Sequence, residues 1–344
     1  MYELDFLQVS TTEKSGDAIT ARFTDAGGRQ RVIVVDGGFT DFGETVREHI
    51  NTHYGTNTVD LVVSTHPDAD HINGLTRVLE EMDVRELLVH RPGLHGVAGR
   101  LGKADVAEDL VRVAVRNGVP VSEPFTGLSR FDGMLTVAGP TQAYYEQLLR
   151  EALVERAAVK VGALAAGLGG GYALRRAVIK ALYALPIEHF FDDDGGTTAT
   201  NNTSVVLSLA FGTERLLLTG DAGVPALNHA LDFLDANGYS ATPLAFLQAP
   251  HHGSRHNLDT PLLDRLLGAP GTQFGFQQVE AFVSASAEAP KHPSPVITNA
   301  LLRRGAGVYS TESGHICHSD VPIYRPGWGP APQVGPRDES GEDD

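Results

Sequence analysis

The segment His66-Pro67-Asp68-Ala69-Asp70-His71 places two imidazoles and two carboxylates in one short turn, directly after the apolar run Val59-Asp60-Leu61-Val62-Val63. A run of this kind is typical of a buried β-strand, so the turn is predicted to lie at the edge of a sheet. Carboxylates that lie close together repel one another, and little offsets this repulsion unless divalent cations bind between the carboxylates and the imidazoles. The segment therefore predicts a metal site at a strand end, in preference to a solvated loop that happens to be rich in His and Asp.

Polar groups follow other apolar runs in the same way. Asp36 ends the run Val34-Val35 and is followed by two glycines, and Asp221 follows Leu216-Leu217-Leu218-Thr219-Gly220. Asp221 can bridge two metal ions because each carboxylate oxygen can bind one ion. Asp36 is predicted to support a metal ligand without binding the metal itself. Two further strand-end sites are His251-His252-Gly253-Ser254 and Lys291-His292-Pro293-Ser294-Pro295.

The order of apolar and amphipathic segments predicts two sheets packed on each other and covered by helices, which is an α/β architecture. Strands are predicted over residues 4–9, 18–23, 31–35, 59–63, 86–90, 134–138, 204–210, 215–219, 243–247 and 279–284. Helices are predicted over 44–53, 74–82, 105–117, 224–237 and 295–303. Residues 307–309 and 315–317 are predicted to close the domain as a hairpin-like pair.

Two regions depart from this pattern. Residues 142–196 are predicted to form a helical insertion, with helices over 144–164 and 172–185 and a glycine-rich connection that does not follow a strand. We interpret the insertion as a lid or an interface. Residues 324–344 are rich in Pro, Gly and acidic residues and are predicted to form a disordered acidic tail, which leaves one domain over residues 1–323.

The composition narrows the functional classes. The chain has 344 residues, a formal net charge of −16 and a single cysteine, Cys317. The acidic charge argues against binding nucleic acid by broad counterion release, although acidic metal ligands contribute to it. One cysteine excludes a disulfide framework within the chain and any Cys-x-x-Cys metal site. No segment is apolar enough to span a membrane and none resembles a secretory signal, so a cytoplasmic location is expected.

Taken together, Asp36-Gly37, His66-x-Asp68-x-Asp70-His71, Thr219-Gly220-Asp221 and His251-His252-Gly253-Ser254 resemble the metallo-β-lactamase superfamily. The resemblance implies an αββα sandwich with metal ions between the sheet edges. Asp68 in place of the commoner His, the run from Asn201 to Leu207 and the late His292-Pro293 are similar to the hydrolase domain of ComEC-type DNA-uptake proteins. The membrane channel of those proteins has no counterpart here, so a role in DNA import is not implied.

The resemblance implies a dinuclear centre whose metal ligands are His66, Asp68, Asp70, His71, Asp221 and one of His251 and His252. We favour His251 because it comes first after the strand, which leaves His252 to contact the substrate. The first metal has no obvious third histidine. A side-chain amide of Asn201 or Asn202, or the hydroxyl of Ser204, is a candidate to fill that position.

The expected cofactors are two divalent metal ions. Three carboxylates favour harder ions, so Mn²⁺ is expected to compete well with Zn²⁺, with Mg²⁺ as a further candidate, and activity is expected to shift to alkaline pH. The expected mechanism is metal-assisted hydrolysis in which Asp70 orients the nucleophile or takes its proton, and His252 or His292 contacts the substrate or protonates the leaving group.

The substrate class is predicted less sharply than the metal site. Phosphodiester hydrolysis, of a nucleic acid or a nucleotide, is the function that the resemblance and the paired metals favour. One alternative is a small-molecule hydrolase acting on an ester, a lactone or a β-lactam. Another is a partner-regulated effector that docks a protein through residues 142–196.

Overall fold

The computed structural model describes residues 1–11, 13–96, 104–165, 196–271, 279–289 and 292–340. Within them, two seven-stranded β-sheets carry the fold, with two short strand pairs beside them. The strands in chain order are β1 (Tyr2–Phe6), β2 (Ser10–Thr11), β3 (Lys14–Ser15), β4 (Ala18–Thr24), β5 (Gln30–Gly37), β6 (Thr58–Val59), β7 (Leu61–Val63), β8 (Asp83–Val84), β9 (Leu87–Leu88), β10 (Val121–Ser122), β11 (Ser129–Arg130), β12 (Leu135–Gly139), β13 (Val206–Phe211), β14 (Glu214–Leu218), β15 (Leu244–Gln248), β16 (Glu280–Val283), β17 (Gly307–Ser310) and β18 (Ile316–Ser319).

Helices connect these strands and cover the sheets. In chain order they are α1 (Phe42–His49), which continues into a π-helical turn (Ile50–Tyr54), α2 (Ala69–Ile72), α3 (Leu75–Glu81), α4 (Ala104–Arg116), α5 (Gln142–Ala165), α6 (Ala199–Asn202), α7 (Val224–Ala236), α8 (Thr260–Leu267) and α9 (Pro295–Arg303). None of the helices in the described ranges combines the length and the apolar character that crossing a membrane requires.

The first sheet has the strand order β10-β9-β7-β5-β4-β1-β18, and the second has the order β11-β12-β13-β14-β15-β16-β17. In the first sheet β5, β7 and β9 run parallel to one another. In the second sheet β14 to β17 run parallel as well. This arrangement is the predicted α/β sandwich of two sheets covered by helices, so the fold prediction is confirmed.

Alternation of side chains along the strands produces the layers, because successive residues of a strand point to opposite faces. In β5, Ile33 and Val35 pack between the two sheets, whereas Val32 and Val34 pack against the helices outside the first sheet. In β14, Leu217 packs against the helices outside the second sheet. The result is three apolar layers that hold the order helix, sheet, sheet, helix.

The parallel strands determine where the polar turns meet. Their carboxyl ends lie at one edge of each sheet, and the segments after β5, β7, β14, β15 and β16 all leave from those ends. The polar residues singled out in the sequence follow these same strands. Packing of the two sheets therefore brings the turns together at one end of the sandwich.

Two local predictions need correction or restriction, and some helices were missed. The predicted hairpin of residues 307–309 and 315–317 is wrong, because β17 pairs with β16 in the second sheet and β18 pairs with β1 in the first. Helices α2, α6 and α8 were not predicted. Helix α5 matches the helix predicted over residues 144–164, but the predicted second helix and the glycine run lie outside the described residues.

Residues 324–340 make specific contacts with the body of the protein. Arg325 is buried, and its guanidinium donates to Asp5 Oδ1 at 2.7 Å and to Glu3 Oε2 at 2.6 Å. Gln333 forms an isolated bridge with Tyr309. These contacts differ from the disordered tail that composition predicts, because average polarity does not reveal one arginine that pairs with two buried carboxylates.

Candidate metal centre

The turn after β7 buries both of its histidines. His66 and His71 are almost fully buried, and their ring centres lie 4.2 Å apart. The short helix α2 begins after Asp68, whose carbonyl accepts the backbone N–H groups of His71 and Ile72 at 3.0 Å each. This turn of helix directs His71 back toward His66, so two imidazoles face the same space.

Asp221 lies between these two imidazoles. Its Oδ2 atom is 3.5 Å from Nε2 of His66, and its Oδ1 atom is 3.3 Å from Nε2 of His71. Its backbone N–H donates to the hydroxyl of Ser204 at 3.1 Å. Gly220 before it has a φ of +52°, which glycine adopts without steric cost. The tight turn after β14 thus presents one carboxylate oxygen to each histidine.

The two histidines after β15 stand on a left-handed stretch of backbone. The φ angles of His251, His252 and Gly253 are +49°, +57° and +75°. His252 is buried, and its Nε2 atom lies 3.6 Å from Oδ2 of Asp70. The side chain of His251 is 32% exposed, and its Nε2 atom lies 3.6 Å from Oδ2 of Asp221. Both imidazoles therefore reach a carboxylate of the cluster.

Hydrogen bonds on the far side of the rings orient the imidazoles. Nδ1 of His71 lies 2.8 Å from Oδ2 of Asp36, which also accepts the Thr65 hydroxyl at 2.6 Å. Nδ1 of His252 lies 3.0 Å from the carbonyl oxygen of Ser284. Because carboxylate and carbonyl oxygens only accept, both Nδ1 atoms carry the hydrogen, and in the neutral rings both Nε2 atoms keep a lone pair.

The donor atoms that face the cluster fit divalent metal ions. Nε2 of His66, His71 and His252 and Oδ1 of Asp221 are buried without a hydrogen-bond partner among the described residues. A buried polar atom left in this state costs about 1–3 kcal/mol. Two groups of donors each lie within 4.8 Å of one another, namely His66, His71 and Asp221, and Asp70, His71 and His252. A metal ion would satisfy these atoms and neutralise the carboxylates.

The electrostatics of the metal-free cluster depend on burial and on the neighbouring charges. Burial lowers the pKa of His66, and the imidazole of His71 lowers it further, so His66 is held in its neutral form. Burial also acts to lower the pKa of His71. The carboxylates of Asp221 and Asp36 outweigh this effect and raise the pKa of His71 well above its usual value. A proton on His71 therefore competes with a metal ion, and metal affinity should depend on pH.

The remaining residues predicted as ligands or catalytic groups also lie at this end of the sandwich. Asp68 is half-buried within the turn that carries His66. The ring centre of His292 is 5.7 Å from that of His251 and 6.2 Å from that of His252. The structure thus brings every predicted strand-end segment to one place.

The predicted supporting residues hold backbone groups around Asp221. The side-chain oxygen of Asn202 accepts the N–H of Gly223 at 3.0 Å, and Ser204 accepts the N–H of Asp221 itself. The side-chain amide nitrogen of Asn201 lies 3.5 Å from Oδ2 of Asp221. The segment before β13 therefore supports the turn that presents Asp221.

Sequence reasoning missed three buried residues of the centre. Asn257 donates from Nδ2 to the carbonyl of Asp221 at 2.8 Å, and its Oδ1 atom lies 3.1 Å from Nδ1 of His251. Asp17 and Gln248 hydrogen-bond to each other at 2.8 Å beneath the histidines. Asp17 immediately precedes β4 and Gln248 is the last residue of β15, and a polar residue at the boundary of an apolar strand is the one signal that could have indicated them.

Comparison with known proteins gives a family and a set of distant structural relatives. The sequence matches the profile of the Metallo-beta-lactamase superfamily over residues 26–270. No curated protein sequence matches it. A putative metallo-beta-lactamase from Thermotoga maritima is similar in structure at 13% identity and a TM-score of 0.36, covering 69% of this chain and 92% of that one.

Two other solved structures are similar at the same level. A diphosphatase from the PhnP family has 12% identity and a TM-score of 0.39, covering 93% of this chain and 98% of that one. A long-form RNase Z from yeast has 13% identity and a TM-score of 0.41, covering 92% of this chain and 41% of that one. The profile match extends over most of the chain and includes the turn at His66, Asp221 and both histidines after β15. The chain belongs to the metallo-β-lactamase superfamily.

Proposed function

We propose that this protein is a metal-dependent hydrolase with a dinuclear centre that cleaves phosphodiester bonds in nucleic acids or nucleotides. The superfamily is hydrolytic, and its members typically bind divalent metals, usually zinc. The observation that carries the proposal is the position of Asp221, whose two oxygens face different imidazoles at 3.5 and 3.3 Å. A carboxylate placed in this way suits a bridge between two ions.

The ligand set that we propose uses both histidines after β15. Nε2 of His251 approaches Asp221, whereas Nε2 of His252 approaches Asp70, so the two rings serve different sides of the cluster. The sequence favoured His251 alone, with His252 left to the substrate. One ion would be held by His66, Asp68 and His251 and the other by Asp70, His71 and His252, with Asp221 available to both.

The identity of the ions follows from the same set. Three carboxylates, Asp68, Asp70 and Asp221, replace part of the imidazole ligation that zinc prefers, and oxygen ligands suit harder ions. We expect Mn²⁺ or Mg²⁺ to compete with Zn²⁺. Two divalent ions also leave one net positive charge after these three carboxylates, and this charge favours an anionic phosphodiester over a neutral ester.

The residues around the cluster have separate proposed roles in the reaction. Divalent ions bound there would activate a water molecule and stabilise the charge that develops on a phosphoryl oxygen. The side chain of Asp70 is 30% exposed, so water can reach it, and we assign it to orient the attacking water and accept its proton. His292, half-buried beside His251, is assigned to contact the substrate or to protonate the leaving group.

The test combines metal content with a substrate panel. Purified protein would be assayed for bound metal and for turnover of DNA, RNA, bis(p-nitrophenyl) phosphate, a p-nitrophenyl ester, a lactone and a β-lactam, with Zn²⁺, Mn²⁺ or Mg²⁺ added. We expect phosphodiester turnover that needs a divalent ion and that falls by at least about 100-fold in His66→Ala and Asp70→Ala. His229→Ala, a change on the exposed face of α7, is the matched control and should keep full activity.

Two results would contradict the proposal. Turnover of the ester, lactone or β-lactam without any phosphodiester turnover would assign the protein to the small-molecule hydrolases. Failure of the wild-type protein to bind any divalent ion would remove the basis for a metal-dependent reaction of either kind.

A further inference from the structure

The proposed centre is divided between the two sheets. The turn after β7 in the first sheet supplies His66, Asp70 and His71, and the turns after β14 and β15 in the second sheet supply Asp221 and His252. Two ions that share one carboxylate need donor atoms placed to within about 0.5 Å. Some contact must therefore fix the distance between the two halves.

The side chain of Gln248 joins the two halves directly. It is the last residue of β15, and it is 2% exposed. Its Oε1 atom accepts the backbone N–H groups of Thr219 at 2.8 Å and Gly220 at 3.1 Å. Its Nε2 atom donates to Oδ2 of Asp17, which precedes β4 in the first sheet, at 2.8 Å. One amide group thus holds the turn that leads to Asp221 and also reaches the opposite sheet.

Asp17 continues the connection to the other half of the centre. It is 1% exposed, and its backbone N–H donates to the carbonyl of Asp70 at 3.1 Å. Its Oδ2 atom lies 3.7 Å from Nδ1 of His71, and its Oδ1 atom lies 3.9 Å from Nδ1 of His252. Asp17 therefore touches three of the proposed ligands on the side away from their donor atoms.

We propose that Gln248 and Asp17 are positioning residues that set the separation between Asp221 and the ligands Asp70, His71 and His252, and so determine the affinity for the ion that those ligands bind. This inference rests on the proposed dinuclear centre. A glutamine amide suits this position, because the side chain must accept from two backbone N–H groups and donate to a carboxylate at the same time.

The chemistry of the pair suggests a test by exchange of the donor. In Gln248→Glu the side chain keeps its length and its acceptor but loses the N–H donor, and two buried carboxylates then face each other. In the double variant Asp17→Asn/Gln248→Glu, Nδ2 of the asparagine can donate to the new carboxylate. The double variant therefore restores the link between the sheets with its polarity reversed.

The experiment measures metal binding by calorimetric titration of the chelator-treated protein with Mn²⁺ and with Zn²⁺. We expect two ions in the wild-type protein and, in Gln248→Glu, affinity for one of them that is about 10- to 100-fold weaker, the range typical for partners that orient metal ligands. In phosphodiester turnover, kcat should fall in parallel while KM stays within about twofold. The double variant should recover to within about threefold of the wild-type protein.

Controls separate this effect from general damage. Gln142→Glu, the same chemical change at an exposed position in the first turn of α5, should leave both affinities unchanged. Gln248→Met removes the link without adding a charge and should also weaken the binding of one ion. This variant replaces Gln248→Glu if Gln248→Glu does not fold.

The outcomes distinguish the inference from the proposed function. Two ions bound by Gln248→Glu or Gln248→Met with wild-type affinities would overturn the inference and leave the dinuclear hydrolase intact. A double variant no better than Gln248→Glu would also overturn it. Wild-type protein that binds fewer than two ions would instead refute the dinuclear centre itself.

Discussion

His90 is a buried imidazole whose protonation the fold opposes. It is 6% exposed, its ring stacks on Tyr145 with centres 4.3 Å apart, and the ring of Phe125 lies at 4.9 Å. Neither ring nitrogen has a hydrogen-bond partner within the described part of the chain. Burial, together with the nearby His95, lowers the pKa of His90 from 6.5 to about 3.

This pKa shift makes the free energy of unfolding depend on pH. Between the two pKa values the unfolded chain binds a proton that the native protein does not, so stability is lost as the pH falls below the unfolded value. Each pH unit in that interval costs about 1.4 kcal/mol, so His90 alone should remove about 2 kcal/mol by about pH 5. His90→Phe keeps an aromatic ring and removes the titration. The variant should therefore lose about 2 kcal/mol less than the wild-type protein between about pH 7.5 and about pH 5.

The assay is urea unfolding of chelator-treated protein at both pH values, because metal release in acid would otherwise add its own pH dependence. The comparison between variant and wild type cancels the contributions of titrating groups that do not interact with His90. His229→Gln, at an exposed position of α7, should behave like the wild-type protein. Equal losses in His90→Phe and the wild type, within about 0.5 kcal/mol, would refute the reasoning.

Three further predictions concern the centre and its supports. Asp36→Asn replaces an acceptor of the His71 N–H by a group that also donates, and metal affinity measured by titration should weaken about 10- to 100-fold; unchanged affinity would show that Asp36 does not orient the ligand. His251→Ala and His252→Ala should each retain one of two ions by elemental analysis, and two ions in either variant would exclude that histidine as a ligand. Gly74→Ala should destabilise the fold by about 3 kcal/mol in urea unfolding, because its Cβ would lie 1.9 Å from a backbone carbonyl oxygen; a loss below about 1 kcal/mol would mean that the backbone yields.

The strand-end residues of the candidate centre could be predicted because their signal is local. The run before His66 is apolar and short, and the residues after it are of types that metal ions bind, so both the strand and the site follow from about a dozen neighbouring positions. The same reasoning located Asp36 and Asp221. The two packed sheets followed from the order of apolar and amphipathic segments along the chain.

Other features depend on contacts between distant positions, which a single sequence does not reveal. The hydrogen bond between Asp17 and Gln248 joins residues 231 positions apart. Strand β18 pairs with β1, which is distant in sequence, and not with its neighbour β17. Local spacing alone favoured a hairpin of the two neighbouring segments. The geometry at His251 and His252 depends on two successive left-handed residues. Residue type alone does not predict this conformation at either position.

The left-handed backbone at His251 and His252 should give opposite results when variants are selected for stability without metal ions and with them. Non-glycine residues in this conformation cost about 1–3 kcal/mol each, and glycine or asparagine would adopt it more easily. A library screened for heat resistance in the presence of chelator should therefore enrich glycine and asparagine at both positions and discard the imidazoles. The same library screened with divalent ions present should keep them, because ligand binding then offsets the conformational cost. The difference in residue frequencies between the two enriched pools would measure how far metal binding offsets the conformational cost of the two left-handed residues.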